Sequence, residues 1–345
     1  MWNNTFKVKV CVIMNKTVGF RYLKYILIGL ALASLPIIQE MGLIGRGTVT
    51  IWAQIIFYAV VAIGLNVLLG YSGLVSLGTA GFMGLGAYVS GYLTEELAFP
   101  FLISLAISII VPTIAGVLVG LVSLRVSGMY LAIATLAVAE ILRQVFVQFS
   151  DFTGGFQGRR TDFPVLFGMD LSREATFTFL VVVLVILLIL TDNFIHSPVG
   201  RALLTMRASE PAAQAMGINL LKYKLMAFAL ATAYAAIGGV LYAHFINFTT
   251  PQVWNLLLSL QILAVIVIGG MKTITGPVIG SIIVFGVPQL ILVNLPVIGD
   301  INGLAFIFNG LLIIVVILFY PNGLVHIAHD FKRLFKRKKV VTSNE

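Results

Sequence analysis

Apolar runs about as long as a bilayer is thick recur along this chain, and no other feature restricts its fold as much. From Phe101 to Leu124 there is no charged residue, and Pro112 is the one interruption; Leu225 to Phe245 carries no Asp, Glu, Lys or Arg. A bilayer-crossing helix needs roughly 20 such residues. Lipid offers no partner to a free N–H or C=O, so unbroken apolar runs of this length must be helical. A transmembrane β-barrel would instead show short alternating strands. With 59% hydrophobic and 10% charged residues and a mean hydropathy of +1.05, the chain lies outside the range of soluble globular domains. The expected class is an all-α polytopic membrane protein of about ten transmembrane helices.

Taken in order, residues 1–24 form a basic N-terminus with Lys7, Lys9, Lys16, Arg21 and Lys24 and no acid. The first span runs from about Tyr25 to Ile38. Ala31-Leu32-Ala33 resembles a cleavage site, but the spans that follow favour an uncleaved anchor. Met14, followed by Asn15-Lys16-Thr17, is a plausible alternative start. Further spans are expected over Ile51–Gly70, Tyr71–Leu93, Phe101–Leu124, Met129–Phe149, Thr176–Ile195, Leu225–Phe245, Leu256–Gly270, Pro277–Leu295 and Leu304–Tyr320. Residues 25–325 thus form the membrane domain and 326–345 a basic tail. Seventeen Lys and Arg fall in the N-terminus, around Arg125, in residues 197–224, at Lys272 and in the tail; only Arg46, Arg159, Arg160 and Arg173 fall on the other side. The positive-inside rule then places both termini in the cytoplasm, and the basic tail faces anionic lipid rather than nucleic acid.

Two stretches stand out. Tyr71–Leu93 has glycines at 73, 78, 81, 84, 86 and 91, which weaken a helix but let backbones approach closely or unwind beside a cavity. Gly70-Tyr71-Ser72-Gly73 is echoed by Gly269-Gly270 with Gly276-Pro277 and Gly280, and such paired glycine-interrupted segments point to a transport route. The other stretch is the polar island Ser197–Lys224, with Arg201, Arg207, Lys222 and Lys224 against Glu210. Within it Ser209 suits an N-cap, Glu210 and Pro211 the first turn, and Gly217 the C′ position. Ala212, Ala213, Ala215 and Met216 give that short helix a small, weakly apolar surface. A second start follows at Asn219. The bland reading is an ordinary connecting loop; the sharper one is a docking surface.

Residues for chemistry are sparse. There is no GxxxxGK[ST] phosphate loop, so ATP cannot be hydrolysed here by that route, and no nucleophile–base pair or metal-ligand spacing occurs. The single cysteine, Cys11, excludes an internal disulfide. Glu140 and Arg143, with Gln144 beside them, make an ionisable cluster inside a span, and such charges usually pair within a bundle or mark a pathway. His244 reads as an interface histidine, and Asn66, Gln261 and Asn309 as packing polar groups.

GYSGLVSLGTAGFMGLGAY, LRVSGMYLAIATLAVAEI, the TGG at 153–155, SPVGRALLTMRASEPAAQAMGINLLKYKLMAFALA and VIGGMKTITGPVIGS occur in that order. Over residues 25 to 325 the chain resembles the branched-chain amino-acid ABC importer permease family of the LivM type. The resemblance implies an ABC importer permease fold in a bacterial inner membrane. Arg207, Ser209, Glu210, Ala213 and Gly217 would then belong to a coupling helix seated in a cytoplasmic ATPase. Two ATPase subunits, a second related permease and an extracytoplasmic substrate-binding protein are the implied partners. No cofactor is expected on this chain, and ATP would be hydrolysed by the ATPases. Gly73, Ser76, Gly78, Thr79, Glu140 and Gly270 are the candidate pathway residues. After TGG the chain departs from the family pattern at Phe156 to Arg160. Leucine, isoleucine or valine is the implied cargo, with urea or another small amide as the alternative. A self-contained secondary transporter is a different class of reading, and would call for more intramembrane acids or histidines than Glu140 provides.

Overall fold

In the computed structural model, residues 22–41, 45–123, 128–166, 168–292, 303–319 and 323–325 are described. The basic N-terminal residues 1–21, Arg125 and the tail from 326 lie outside them. Among the described residues six helices are long and apolar enough to cross a membrane: α1 (Tyr22–Glu40), α2 (Gly47–Tyr71, its last five residues π-helical), α4 (Phe101–Val122), α5 (Met129–Gln148), α6 (Arg173–His196) and α9 (Leu220–Ile246). Between α2 and α4 lies α3 (Thr79–Glu95), and between α6 and α9 lie the short α7 (Pro198–Ala208) and α8 (Glu210–Ala215). Three further apolar helices follow: α10 (Leu256–Gly269), α11 (Gly276–Ser281, continued by π-helical turns to Leu292) and α12 (Leu304–Phe319).

The helix α9 is the hub. It packs against α2, α3 and α4, and small residues set how close these approaches are. At Gly239 an added Cβ would fall on the Met83 carbonyl of α3, and at Gly86 it would meet the Ala236 backbone of α9. The α3–α9 seam is therefore a backbone-to-backbone contact that only glycine permits. On the other flank Gly64 of α2 lies under Tyr234 of α9, whose hydroxyl hydrogen-bonds Thr191 of α6 at 2.8 Å. The α10–α11 hairpin closes as tightly, with Gly269 against Gly276, and α11 leans on α2. The helices α2 and α9 are mostly buried. By contrast α1, α4 and α5 turn broad faces outward. The first of these, α1, is fastened to α6 by Tyr22–Asn193 (2.6 Å) and by Gly29 lying against Val185.

One end of the bundle gathers residues 95–100, 149–172 and 247–255. There β1 (Arg159–Arg160) pairs antiparallel with β4 (Phe248–Thr249), and β2 (Val165–Leu166) with β3 (Met169–Asp170). The His244 ring locks this end, sharing 2.8 Å hydrogen bonds with Ser90 Oγ and with the Asp162 carbonyl, so both nitrogens are occupied by the fold. The opposite end carries the 197–219 stretch and the 269–276 turn.

Two expectations need correction. The span expected over Tyr71–Leu93 is interrupted: Tyr71 ends α2, residues 72–78 form no helix, Gly73 has φ +76°, and the helix resumes at Thr79. Hydrogen bonds from other helices hold that break, as described below. Within residues 197–224 a helix that the sequence reading left out, α7, precedes the expected one. Its signal was present, since Ser197 caps it by accepting from Val199 and Gly200 N–H and Pro198 occupies the first turn.

Replacing Gly239 with alanine is expected to lower thermal stability in detergent by roughly 1–3 kcal/mol, the usual effect of overpacking a tight contact. The same change at Gly310 on α12, where the space is open, should not lower stability, because alanine is the better helix former. Equal melting temperatures for the two variants would contradict the close α3–α9 seam.

Candidate functional site

The polar stretch folds as a corner made of α7, α8 and the start of α9. Its caps are local chemistry. Ser209 accepts from the Ala212 N–H (3.4 Å), and Asn219 accepts from the Lys222 N–H (3.1 Å). Gly217, at φ +80° with open space around it, takes the left-handed turn that lets Ile218 N–H bond back to the Ala213 carbonyl at 3.0 Å. With six helical residues, α8 is too short to persist alone. Tertiary contacts must hold it.

The five residues singled out in the sequence turn out to supply that support. Lys224 Nζ on α9 lies 2.6 Å from Glu210 Oε1, tying the first turn of α8 to its neighbour. Ala213 is fully buried and faces the core. Arg207 reaches inward, donating to the Gly70 carbonyl at the end of α2, while its stem packs on Gly73. Ser209 and Gly217 cap the helix. The outward face of α8 is made instead by Pro211, Ala212, Gln214, Ala215 and Met216, the last 73% exposed. A helix shorter than two turns has no readable hydrophobic period, so which alanine points inward was hidden in the sequence.

Arg207 connects this corner to a second element. Asn66 donates to the Thr273 carbonyl (2.8 Å) and accepts from Lys272 N–H (3.2 Å), and Tyr71 donates to the Lys272 carbonyl (2.7 Å). The end of α2 and the 269–276 turn, which echo one another in sequence, are thus joined in space. Gly270 sits in that turn with φ +119°. A path of direct contacts runs from α8 through Arg207 and Gly70 to Asn66 and the α10–α11 turn.

The candidate pathway residues divide into three places. Gly73 and Gly270 lie at this joint. Ser76, Gly78 and Thr79 are buried in the broken segment. There the N–H of Leu77 donates to Thr135 Oγ1 on α5 (3.0 Å), that of Gly78 to Ser76 Oγ (3.3 Å), and that of Ala80 to Ser259 Oγ on α10 (3.0 Å). Ser76 and Thr79 border an internal void of only about 10 Å³ together with Leu65, Leu68 and Phe228, enough for roughly one water. Glu140 is elsewhere, on the outward face of α5. It pairs with Arg143 (Nε to Oε2, 2.9 Å) and with Gln144 (3.2 Å). At the far end of the bundle a cavity of about 630 Å³ opens between Phe99, Phe101, Phe163 and Val165, with Glu95 and Asp162 among its walls. Near it Arg159, which follows the TGG turn, donates to the Phe152 carbonyl (2.7 Å) and pairs with Glu96. Among the described residues no cluster of three potential metal ligands occurs.

With this geometry in hand, the comparisons with known proteins are decisive for the family. The sequence profile described as branched-chain amino acid transport system / permease component matches residues 47–318. This chain belongs to that permease family. It is 31% identical over 308 residues to the high-affinity branched-chain amino acid transport system permease protein LivM of Escherichia coli strain K12, covering 82% of this chain and 71% of that protein. It is 24% identical to a probable LivM of Methanocaldococcus jannaschii, covering 78% of this chain and 90% of that one. A probable LivH permease of the same archaeon is 27% identical over 263 residues, 72% of this chain and 81% of that one. No solved structure matches. The chain is a multi-pass membrane permease, and α2 through α12 fall inside the matched region except for Phe319, the last residue of α12.

Ala213→Leu should open the α7–α8–α9 corner, lowering stability by roughly 1–3 kcal/mol and speeding limited proteolysis in residues 208–218. Ala215→Leu, on the outward face, should change neither readout by more than about 0.5 kcal/mol or its equivalent. Matching proteolysis patterns for the two permeases would place the buried face of α8 elsewhere.

Proposed function

We propose that this permease is the transmembrane subunit of an ABC importer that carries leucine, isoleucine or valine into the cell by ATP-driven alternating access. The chain sits in the bacterial inner membrane with both termini in the cytoplasm, as its charge distribution supports. A second, related permease completes the passage, and a substrate-binding protein delivers cargo from outside. Two cytoplasmic ATPase subunits bind and hydrolyse ATP, a task for which this chain carries no phosphate loop. The permease itself is a transport subunit and forms no covalent intermediate.

The observation that carries this reading is the construction of α8. Its one charged residue, Glu210, is tied to Lys224, and a face of Pro211, Ala212, Gln214, Ala215 and Met216, mostly small or apolar, is left outward. Such a face admits close approach by a cleft in another protein. When the ATPases close on ATP, they push on that face. Because Glu210 is tied to Lys224 and Arg207 to Gly70, the displacement passes to α9 and to the end of α2 rather than dissipating in a loose loop. The turn at 269–276 follows, because Asn66 and Tyr71 hold it. Arg207, Ser209, Glu210, Ala213 and Gly217 are thus coupling residues in the sense that they build and connect the helix. Substrate moves past the region of Gly73, Ser76, Gly78, Thr79 and Gly270, where glycines and a broken helix allow local rearrangement; Glu140, on the outward face of α5, lies away from that route.

Ala215→Arg adds bulk and charge to the outward face without touching the core. Insertion and melting temperature should be normal, while co-purification of the ATPase and leucine uptake into proteoliposomes of the assembled importer should both be lost. Arg207→Ala should behave differently: the ATPase stays bound and hydrolyses ATP, but uptake falls by roughly tenfold or more, with partial return in Arg207→Lys. The tenfold figure corresponds to about 1.4 kcal/mol of lost coupling. Undiminished uptake by the Ala215→Arg permease would remove the coupling role of this helix.

A further inference from the structure

Outward faces on the spanning helices of this chain are almost wholly apolar. On α4 Ile110 and Ile114 point out, on α6 Val182 and Ile186, and on α12 Leu311 and Ile314. Such faces suit lipid. Among the described residues α5 alone carries ions on its outward face away from its ends. Glu140 and Arg143 are exposed by 49% and 26% there, with Gln144 exposed beside them. Glu140 is eleven residues from the start of this 20-residue helix, about 16 Å along it, close to the middle of a hydrocarbon core roughly 30 Å thick. A carboxylate at that depth cannot reach either headgroup layer by extending its side chain. An ion pair facing lipid at mid-depth is expensive, and such groups face protein or water instead.

Nor is this a helix free to rotate its charges inward. Its other face is committed: Thr135 accepts from the broken segment before α3, Gly81 of α3 lies against the Ala139 backbone, and Phe146 is fully buried. The outward stripe also differs from the wall of an aqueous channel. Ile133, Ile141 and Val145 flank the polar trio, and Ala137 sits one turn away. Polar glue flanked by branched aliphatics, with a small residue for close approach, is the composition of a helix–helix contact inside a membrane. A soluble ATPase cannot reach mid-depth, and neither can a binding protein outside.

We propose that the Ala137–Glu140–Ile141–Gln144 stripe of α5 is the surface on which a second permease subunit closes. This rests on the importer reading above and assigns that partner to one face of the chain. The pair neutralises itself at short range, so the face remains insertable before assembly. After assembly the free lone pairs of Glu140 and N–H groups of Arg143 and Gln144 find partners on the facing helix.

The test uses the whole importer in its native membrane. A photo-cross-linking benzoylphenylalanine replaces Gln144, and in a parallel strain Ile114 on α4. Illumination should join Gln144 to the related second permease and Ile114 to lipid; a cross-link from Gln144 only to another copy of this chain would overturn the assignment. In addition, Ala137→Trp should reduce the co-purified second permease about tenfold, whereas Ile114→Trp should leave it unchanged. Lipid adducts alone at Gln144, in a complex from which the second permease still co-purifies, would overturn the assignment and leave the importer reading intact. Absence of both the ATPase and any second permease from the unmodified complex would overturn the two together.

Discussion

A break in a helix at membrane depth must have its backbone groups satisfied by the protein, because lipid supplies none. Residues 72–78 are such a break, and the fold is arranged around meeting its demands. Thr135 from α5 takes the Leu77 N–H within it, Ser259 from α10 takes the Ala80 N–H just after it, and Arg207 from the α7–α8 corner donates to the Gly70 carbonyl just before it. Three elements far apart in sequence are therefore drawn to one place. The glycine seam between α3 and α9 then positions the helix that resumes at Thr79. Had the chain stayed helical through this region, none of those hydrogen bonds would have been required, and the joint between α2 and the 269–276 turn would have no reason to form.

Polar residues inside the bundle concentrate as latches near its two ends. Ser90, His244 and the Asp162 carbonyl close one end; Asn66, Tyr71 and the 272–273 carbonyls close the other. Between them the seams are glycine and alanine against backbone, with Phe57, Tyr242 and Trp254 packed edge to face. Directional bonds at the ends and non-directional packing between them favour rigid-body displacement over bending. Under the proposed coupling, a push at the α8 corner would be delivered to blocks of helices rather than to single side chains.

Six of the ten expected spans, the family and the caps of α8 and α9 were legible in the sequence because each depends on local pattern: apolar length, motif order, and Ser209, Gly217 and Asn219 at their characteristic places. The break at 72–78 was not. Its leucines, valine and glycines continue the apolar run, and the bonds that stabilise it come from Thr135 and Ser259, 58 and 179 residues away from their partners. Likewise the inward turn of Ala213 and Arg207 follows from tertiary contacts, which a six-residue helix cannot announce. Glu140 and Arg143 were visible as a pair, but that they face away from their own bundle is a fact of packing.

The position of α1 has a consequence for how chains of this kind diversify. It touches the bundle mainly along α6, is largely exposed, and precedes the region shared with the family, which begins at residue 47. Of the contacts described above it enters only those on α6, Tyr22 with Asn193 and Gly29 against Val185, with Tyr25 buried on the same side. Such a helix can vary along its exposed face without touching the seam between α3 and α9, which includes none of its residues. Packing constrains α1 on the side toward α6, whereas it constrains most of the circumference of α2 and α9.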